Sequence, residues 1–445
     1  MSSGIKAPEI TSVTLRRPTR QGASGVWWLS PIALIGLVAL PTTWLALAIT
    51  DDRYRFLWGT PKSVTAEWTV KFTIGLLLFI AGAAVPLAMS RTRAPAAWPG
   101  LSRPDLALMS RAATVLFWLT VVGYVGYAVN AARVGLTLNV FYTALTTLNF
   151  YDANIRGRLG TVPGVTTFTQ FGVAFTILAG LLLAAGEPRA KHVRRLSIVL
   201  FLALLRAFFV SERLALLELL VPLLVVGVSS MSRDSTGARR ASFLPAVILP
   251  LVVAFFGAFE YSRSWVFYKA QGGNSFPAFI IERFAGYYVT AYNNGVIRLE
   301  HQPNAALPYD LVQAFWTAPG IGSANLFRTL TGLDQDVSYT DALTNFGNPE
   351  FNNQGGVVSP FVDLGTAGAL VFFLLLGLAC GLLYRSLQQG RIWGLVLYPL
   401  MVLTLLEMPR YIYLPQGRAA PGVIALVVVA LLVHRGRRRR LGATL

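Results

Sequence analysis

The chain has little of what soluble proteins use to stay in water. Charged residues occupy only 13% of its 445 positions, against roughly 25% in an ordinary soluble domain, which excludes a soluble enzyme and a disordered polypeptide. Its one cysteine, Cys380, lies in an apolar run and leaves no basis for a disulfide framework or a cysteine-rich metal site. The three histidines, His192, His301 and His434, are far apart in sequence, so no zinc or haem centre is expected. No Walker motif, nucleotide-binding glycine loop or serine-hydrolase elbow occurs, which argues against ATP or a sugar nucleotide as substrate. Cofactor and metal are both read as none.

Apolar sequence is what the chain has in abundance. Crossing about 30 Å of hydrocarbon takes roughly 17–25 residues. Stretches of that kind lie near 26–49, 68–89, 112–130, 166–186, 195–210, 213–230, 243–262, 361–384, 392–408 and 419–433. The expected fold is therefore all-α, a polytopic membrane protein with about ten transmembrane helices. Seven helices span 26–262 and three span 361–433. Arg206, Glu212, Arg213 and Glu218 interrupt the region 195–230, which is far too long for one crossing and reads as two spans joined by a hairpin at Ser211–Arg213. About 25 mostly polar residues precede the first apolar run, a pattern unlike a cleavable signal peptide.

A net charge of +18 could suggest nucleic acid, but the topology absorbs it. With the N-terminus cytoplasmic, 22 of the 38 basic residues fall in cytoplasmic segments beside four acids (Glu9, Asp105, Glu187 and Asp234), and this accounts for the whole +18. The remaining basic and acidic residues cancel. The charge is a positive-inside signal, no nucleic-acid partner is needed, and the arginine tail 434–445 is expected to face anionic lipid. Both termini, including the tail 1–25, are placed in the cytoplasm. The longest connection, 263–360, then faces outward and is too large to be a mere connector. Its apolar-periodic pieces 276–291 and 308–317 are expected to form short helices on the outer membrane face. A smaller outer loop, 131–165, carries Asn149-Phe-Tyr-Asp-Ala-Asn154 and the pair Arg156 and Arg158.

Arginines gather on that outer side: Arg206, Arg213, Arg263, Arg283, Arg298, Arg410 and Arg418. Arginine beside a span is costly and signals a polar cavity or an anionic ligand, and its planar fork suits phosphate oxygens. The competing reading is boundary snorkelling. Gly286-Tyr-Tyr-Val-Thr-Ala-Tyr-Asn-Asn-Gly295 alternates rings with amides, as a sugar site would, although tyrosines also populate an interfacial belt. In Asn348-Pro-Glu-Phe-Asn-Asn-Gln-Gly-Gly356 no helix rule accounts for Glu350, a candidate working carboxylate. Asp363, by contrast, suits the first turn of a helix. Glu407-Met-Pro-Arg410-Tyr-Ile-Tyr-Leu-Pro-Gln-Gly-Arg418 is a proline-stiffened loop with two arginines and two tyrosines. His301 is the only outward imidazole.

Several of these segments resemble the outer-loop signatures of bacterial oligosaccharide repeat-unit polymerases, the O-antigen polymerase (Wzy-type) group. They are Arg283-Phe-Ala-Gly-Tyr-Tyr-Val-Thr-Ala-Tyr-Asn-Asn-Gly295, Asn348-Pro-Glu-Phe-Asn-Asn353 running into Pro360-Phe-Val-Asp-Leu-Gly365, and Glu407-Met-Pro-Arg410 with Gln416-Gly-Arg418. Ser211-Glu-Arg213 is similar to the group's short hairpin arginine. The likeness runs from about 195 to 420. It implies a glycosyltransferase that polymerises undecaprenyl-diphosphate-linked oligosaccharide at the outer face of the bacterial cytoplasmic membrane, in O-antigen, capsule or exopolysaccharide synthesis. The reading assigns Arg213, Arg283, Arg410 and Arg418 to the diphosphate. Tyr287, Tyr288, Asn293, Asn294, Asn352 and Asn353 are assigned to the glycan, and Glu350, with His301 in reserve, to the base. Membrane lipids are expected partners, and a chain-length regulator is left open. Alternatives are an O-antigen ligase, a transferase using a polyprenyl-monophosphate sugar with Asp51 or Asp52 as base, or a flippase of lipid-linked sugar.

Overall fold

The computed structural model describes residues 26–89, 98–147, 155–160, 162, 164–210, 212–232, 235–265, 268–269, 275–303 and 305–442. Among them every regular element is helical and there is no strand. The main helices are α1 (Pro31–Ala48), α2 (Ala66–Ala88), α3 (Arg103–Arg133), α4 (Phe171–Ala184), α5 (Arg189–Phe209), α6 (Leu214–Met231) and α7 (Ser235–Glu260). Then follow α8 (Phe276–His301), α9 (Ser359–Gln388), α10 (Ile392–Glu407) and α11 (Ala420–Gly442). All ten expected spans are helical, and among the described residues eight helices are long and apolar enough to cross a membrane. The other two are α10, which is shorter, and α5, whose first turns carry Arg189, Lys191, Arg194 and Arg195. The region 195–230 divides as expected, with α5 ending at Phe209 and α6 starting at Leu214. The tail 1–25 and the Asn149–Asn154 motif lie outside the described residues, as do the side chains of Arg156 and Arg263.

Helices α2 and α9 form the tightest pair. A Cβ on Gly377 would fall on the carbonyl oxygen of Phe79, one on Gly82 on that of Leu374, and one on Gly381 on that of Ala83. Lipid tails are as apolar as leucine, so spans gain by close backbone approach, and small residues at the contact permit it. Helix α4 (Phe-Gly-Val-Ala-Phe-Thr-Ile-Leu-Ala-Gly-Leu-Leu-Leu-Ala) is apolar all round and sits inside the bundle. Its span is 72% buried, against 6% for that of α7. Helix α7 is therefore peripheral.

Helix α8 corrects an expectation. The piece 276–291 is the first part of one 26-residue helix rather than a short one; its start stays partly exposed, with Ile281 68% exposed, while the run Val289–Arg298 is entirely buried. The carbonyl of Ala39, at the end of the π turn Ile35–Ala39 of α1, accepts from the hydroxyls of Thr42, Thr43 and Tyr292. That contact draws α8 onto α1. The remainder of 263–360 holds short helices at Asp310–Val312, Gln313–Trp316, Leu326–Thr331 and Gln335–Phe346.

Gly377→Val should destabilise the protein strongly, by overpacking against a backbone that cannot give way, at about 1–3 kcal/mol or more. Gly227→Ala, in a position with open space around it, should leave stability unchanged. Thermal unfolding in detergent measures both, and equal melting temperatures would contradict the packing described for α2 and α9.

Candidate functional site

Five short stretches meet at one end of the bundle. The turn between α5 and α6 supplies Glu212 and Arg213, with Arg206 one turn back on α5. Helix α7 ends there with Phe256 and Glu260. Helix α8 presents Arg283 and Tyr287, four residues apart and so on one face. The 347–356 loop brings Glu350, Asn352 and Asn353, and the segment after α10 brings Arg410, Tyr411 and Arg418.

The Glu260 carboxylate, fully buried, lies between two arginines, 2.7 Å from Arg213 Nη2 and 3.4 Å from Arg283 Nε. Arg283 Nη2 reaches Glu350 Oε1 at 2.5 Å, and the Tyr268 hydroxyl donates to Glu350 Oε2 at 2.7 Å. Burial and the Glu350 carboxylate push the Tyr268 phenol up to about 12, so it remains a donor. Arg213 also donates to the Tyr287 hydroxyl at 3.0 Å. The Tyr287 ring is common to three guanidinium groups, those of Arg213, Arg283 and Arg410, at 5.2, 5.8 and 5.3 Å from its centroid. Arg410 pairs with Glu407 at 2.7 Å.

Beside this group, Glu212 receives Arg206 at 2.6 Å and Arg418 at 2.9 Å, and Arg418 also reaches Glu218 at 2.6 Å. Burial alone would raise the Glu212 carboxyl, but the charges and hydrogen bonds of Arg206 and Arg418 hold it below its ordinary value. Five arginines and five glutamates thus alternate through the described site.

Two adjoining cavities open onto these groups. One, of about 590 Å³, is lined by Glu212, Gln313, Asn352, Asn353, Gln354, Arg410, Tyr411, Gln416 and Arg418, with Tyr127 and a few apolar groups. The other, about 220 Å³, has Arg213, Tyr287, Tyr288, Glu350, Glu407 and Arg410 on one side. Its remaining wall is Leu214 and Leu217 of α6, Val252, Phe255 and Phe256 of α7 and Phe284 of α8. Glu212, Leu214, Asn352, Asn353 and Arg410 border both. The first is polar, and the second is half apolar and flanked by the loosely packed α7.

The 347–356 loop is held from within. Asn348 Oδ1 accepts from Glu350 N at 2.9 Å while its amide donates to the Trp58 carbonyl, turning Glu350 toward Arg283. Gly355 adopts a left-handed conformation, with φ of 75°, and a Cβ there would strike the Ala291 carbonyl oxygen. A side chain on Gly356 would fall on the backbone of Met408 and Tyr411. These two glycines let the loop lie between α8 and the segment bearing Arg410.

Of the residues assigned from sequence, Arg213, Arg410, Arg418, Tyr287, Tyr288, Glu350, Asn352 and Asn353 line the cavities, and Arg283 stands directly behind Glu350. Three do not belong there. Asn293 is buried, accepting from the backbone N–H groups of Ser63 and Val64 and donating to Pro61. Asn294 donates to the carbonyls of Phe351 and Asn353. Both amides hold loops and cannot face a sugar. His301 is exposed, stacked on Phe346 at 3.8 Å, and sits about 27 Å along α8 from Arg283 at 1.5 Å per residue. Arg298 is buried elsewhere, bound to Asp310 and Gln302. Asp51 and Asp52 occupy the exposed first turn of the helix Asp51–Trp58, where they complement its dipole, and border neither cavity.

Glu212 was named in the sequence only as one of the charges that interrupt 195–230, and Glu260 and Tyr268 were not singled out there. The only signal for Glu260 was the cancellation of basic and acidic residues outside the cytoplasmic segments, and Tyr268 had none. Among the described residues no group of three or more histidine, cysteine or acidic side chains is placed to hold a metal ion. Comparison with protein-family models, curated proteins and solved structures finds no match to this chain.

Because the folded Glu212 carboxyl is depressed, its contribution to stability is complete above about pH 4.5, its ordinary value, and fades as pH falls below that. Glu212→Gln should therefore melt below the wild type at pH 7, with the gap narrowing on acidification. Melting curves from pH 7 to pH 4 in detergent test this, and a constant gap would contradict it.

Proposed function

We propose that this protein is a membrane glycosyltransferase that polymerises undecaprenyl-diphosphate-linked oligosaccharide repeat units at the outer face of the bacterial cytoplasmic membrane. One observation carries the reading: a polar chamber and a half-apolar groove adjoin at one end of the bundle and share Arg410, Asn352 and Asn353. That shape suits an amphiphile with a glycan, an anionic linker and a hydrocarbon tail. The glycan occupies the larger chamber, among the amides of Asn352, Asn353, Gln354 and Gln416 and the ring of Tyr411. The polyprenyl tail leaves past Phe255, Phe256 and Leu217, beside α7.

In the proposed reaction an acceptor sugar hydroxyl attacks the anomeric carbon of the donor chain. The new glycosidic C–O bond forms as the bond from that carbon to the diphosphate oxygen breaks. The electron pair stays on undecaprenyl diphosphate, and the hydroxyl proton passes to Glu350. Of the five site glutamates Glu350 is the most exposed, 39% against 26% for Glu212, which favours it as the base. Arg213 and Arg410 face the leaving group. Arg213 Nη1, Arg410 Nε and the Tyr411 hydroxyl are buried and make no hydrogen bond within the described protein. They are donors left unpaired after the glutamates are served, and a bound phosphate would draw them out of burial to pair with it. Donors fixed in advance where charge develops lower the barrier without reorganising.

The test uses purified protein with undecaprenyl-diphosphate-linked repeat unit. The wild type should give a ladder of lipid-attached glycans. Arg410→Ala should lower turnover by about 10²–10³-fold, the usual effect of removing one such donor, and Glu350→Gln by at least about 10²-fold. Donor consumption without a ladder, only when another acceptor is supplied, would favour the ligase. Wild-type turnover in both variants would overturn the assignment.

A further inference from the structure

A third concavity, an open groove of about 410 Å³, lies at the end of α7 away from the site, lined by Arg239, Arg240, Phe243, Leu244 and Val247. Arg239 and Arg240 are exposed and form no ion pair among the described residues, while Phe243 and Val247 are 66% and 57% exposed. On a helix, residues 239, 243 and 247 recur every four positions, as do 240 and 244. Along the helix axis the backbone of Arg239 and Arg240 therefore stands about 6 Å beyond that of Phe243 and Leu244 and about 10–12 Å beyond that of Val247. The surface thus presents charge at its rim and hydrocarbon below it.

A second contact fixes the depth of this rim. Pro245 lacks an N–H, so the carbonyl of Ala241 loses its helical partner, and the Trp28 indole donates to it at 2.8 Å. Trp27 donates to the next carbonyl, that of Ser242, at 3.3 Å. Tryptophan belongs at the membrane–water boundary, and here two of them are bonded to the turn between the arginines and the apolar side chains. Arg239 and Arg240 therefore lie at headgroup level and Val247 within the acyl region.

We propose that this groove binds one anionic glycerophospholipid, its phosphate held by Arg239 and Arg240 and an acyl chain lying along Phe243, Leu244 and Val247. The choice of lipid rests on charge. Two arginines without a carboxylate partner among the described residues select a headgroup of net negative charge over a zwitterionic one. The lipid would steady the peripheral α7, whose far end carries Glu260.

Native mass spectrometry of delipidated full-length protein, given phosphatidylglycerol or phosphatidylcholine of the same chain length, tests this. The wild type should retain one phosphatidylglycerol at least about tenfold more than phosphatidylcholine. Arg239→Gln with Arg240→Gln should reduce that retention to the phosphatidylcholine level. Val247→Trp, which fills the groove while leaving both arginines in place, should also expel the lipid. Arg328→Gln, exposed on the helix Leu326–Thr331, should leave retention unchanged. Equal retention of the two lipids by the wild type would overturn the proposal. So would undiminished phosphatidylglycerol binding in the Arg239/Arg240 variant, or its loss in the Arg328 variant.

Discussion

The carboxylate of Glu260, out of contact with water and shared by Arg213 and Arg283, is the interaction on which the functional end of this protein depends. Burying a charge costs several kcal/mol even after relaxation, and the Glu260 oxygens, which make no hydrogen bond among the described residues, are compensated by the charges of these two arginines. Here one acid fixes two guanidinium groups at once and joins the hairpin between α5 and α6, the end of α7 and the face of α8. Removing one member of a buried pair typically costs about 3–5 kcal/mol, because the partner stays buried and unpaired. Helix α7 is peripheral and is otherwise held by the indole bonds of Trp27 and Trp28 and by ring contacts with Phe208, Phe284 and Tyr287, so the same carboxylate pins its inner end. The apolar wall of the smaller cavity, Val252, Phe255 and Phe256, is placed by that anchor.

The alternation of five arginines with five glutamates resolves an apparent conflict. A site lined only by arginine would attract a diphosphate but would be unstable when empty, through repulsion among buried cations. A fully compensated site is stable but gives an anion no net attraction at long range. What remains is local: each guanidinium has five N–H groups in a fixed fork, and the glutamates occupy only some of them. The glutamates hold the forks in place, and the remaining N–H groups offer a ligand short, directed bonds. Tyr287, whose ring lies near three of the arginines, spaces them and contributes cation–π attraction.

Much of the fold could be read from hydropathy, because spanning helices must be apolar for about twenty residues and their flanking arginines report sidedness. The hairpin within 195–230 followed from length, from the charges that interrupt the run and from the basic loops on either side falling on one face. Helix α8 was harder: Tyr292, Asn293 and Asn294 look like the polar face of a surface helix, yet their polar atoms are satisfied by the backbone of the 61–64 and 351–353 loops and by α1. A one-dimensional pattern cannot tell an amide that faces water from one that holds a loop. For the same reason Asn293 and Asn294 were assigned to sugar while Asn352 and Asn353 do border the cavities. Glu260 was overlooked because an acid at the end of an apolar run reads as a boundary, and its two partners lie far away in sequence. The arginines themselves were legible, since arginine next to a span is costly enough to require a reason.

The central claim is that the Glu260-anchored arginines present donors to the diphosphate of a polyprenyl lipid. Its most direct test is the affinity of purified protein in nanodiscs for undecaprenyl diphosphate compared with undecaprenol, which shares the tail and lacks the phosphates. The account predicts binding of the diphosphate at least about tenfold tighter, given that a charge-assisted hydrogen bond contributes roughly 1.5–3 kcal/mol. It also predicts that Arg213→Lys, which keeps a cation beside Glu260 but lacks the guanidinium fork, lowers this preference while leaving undecaprenol binding intact. Equal affinity for the two lipids in the wild type would contradict it.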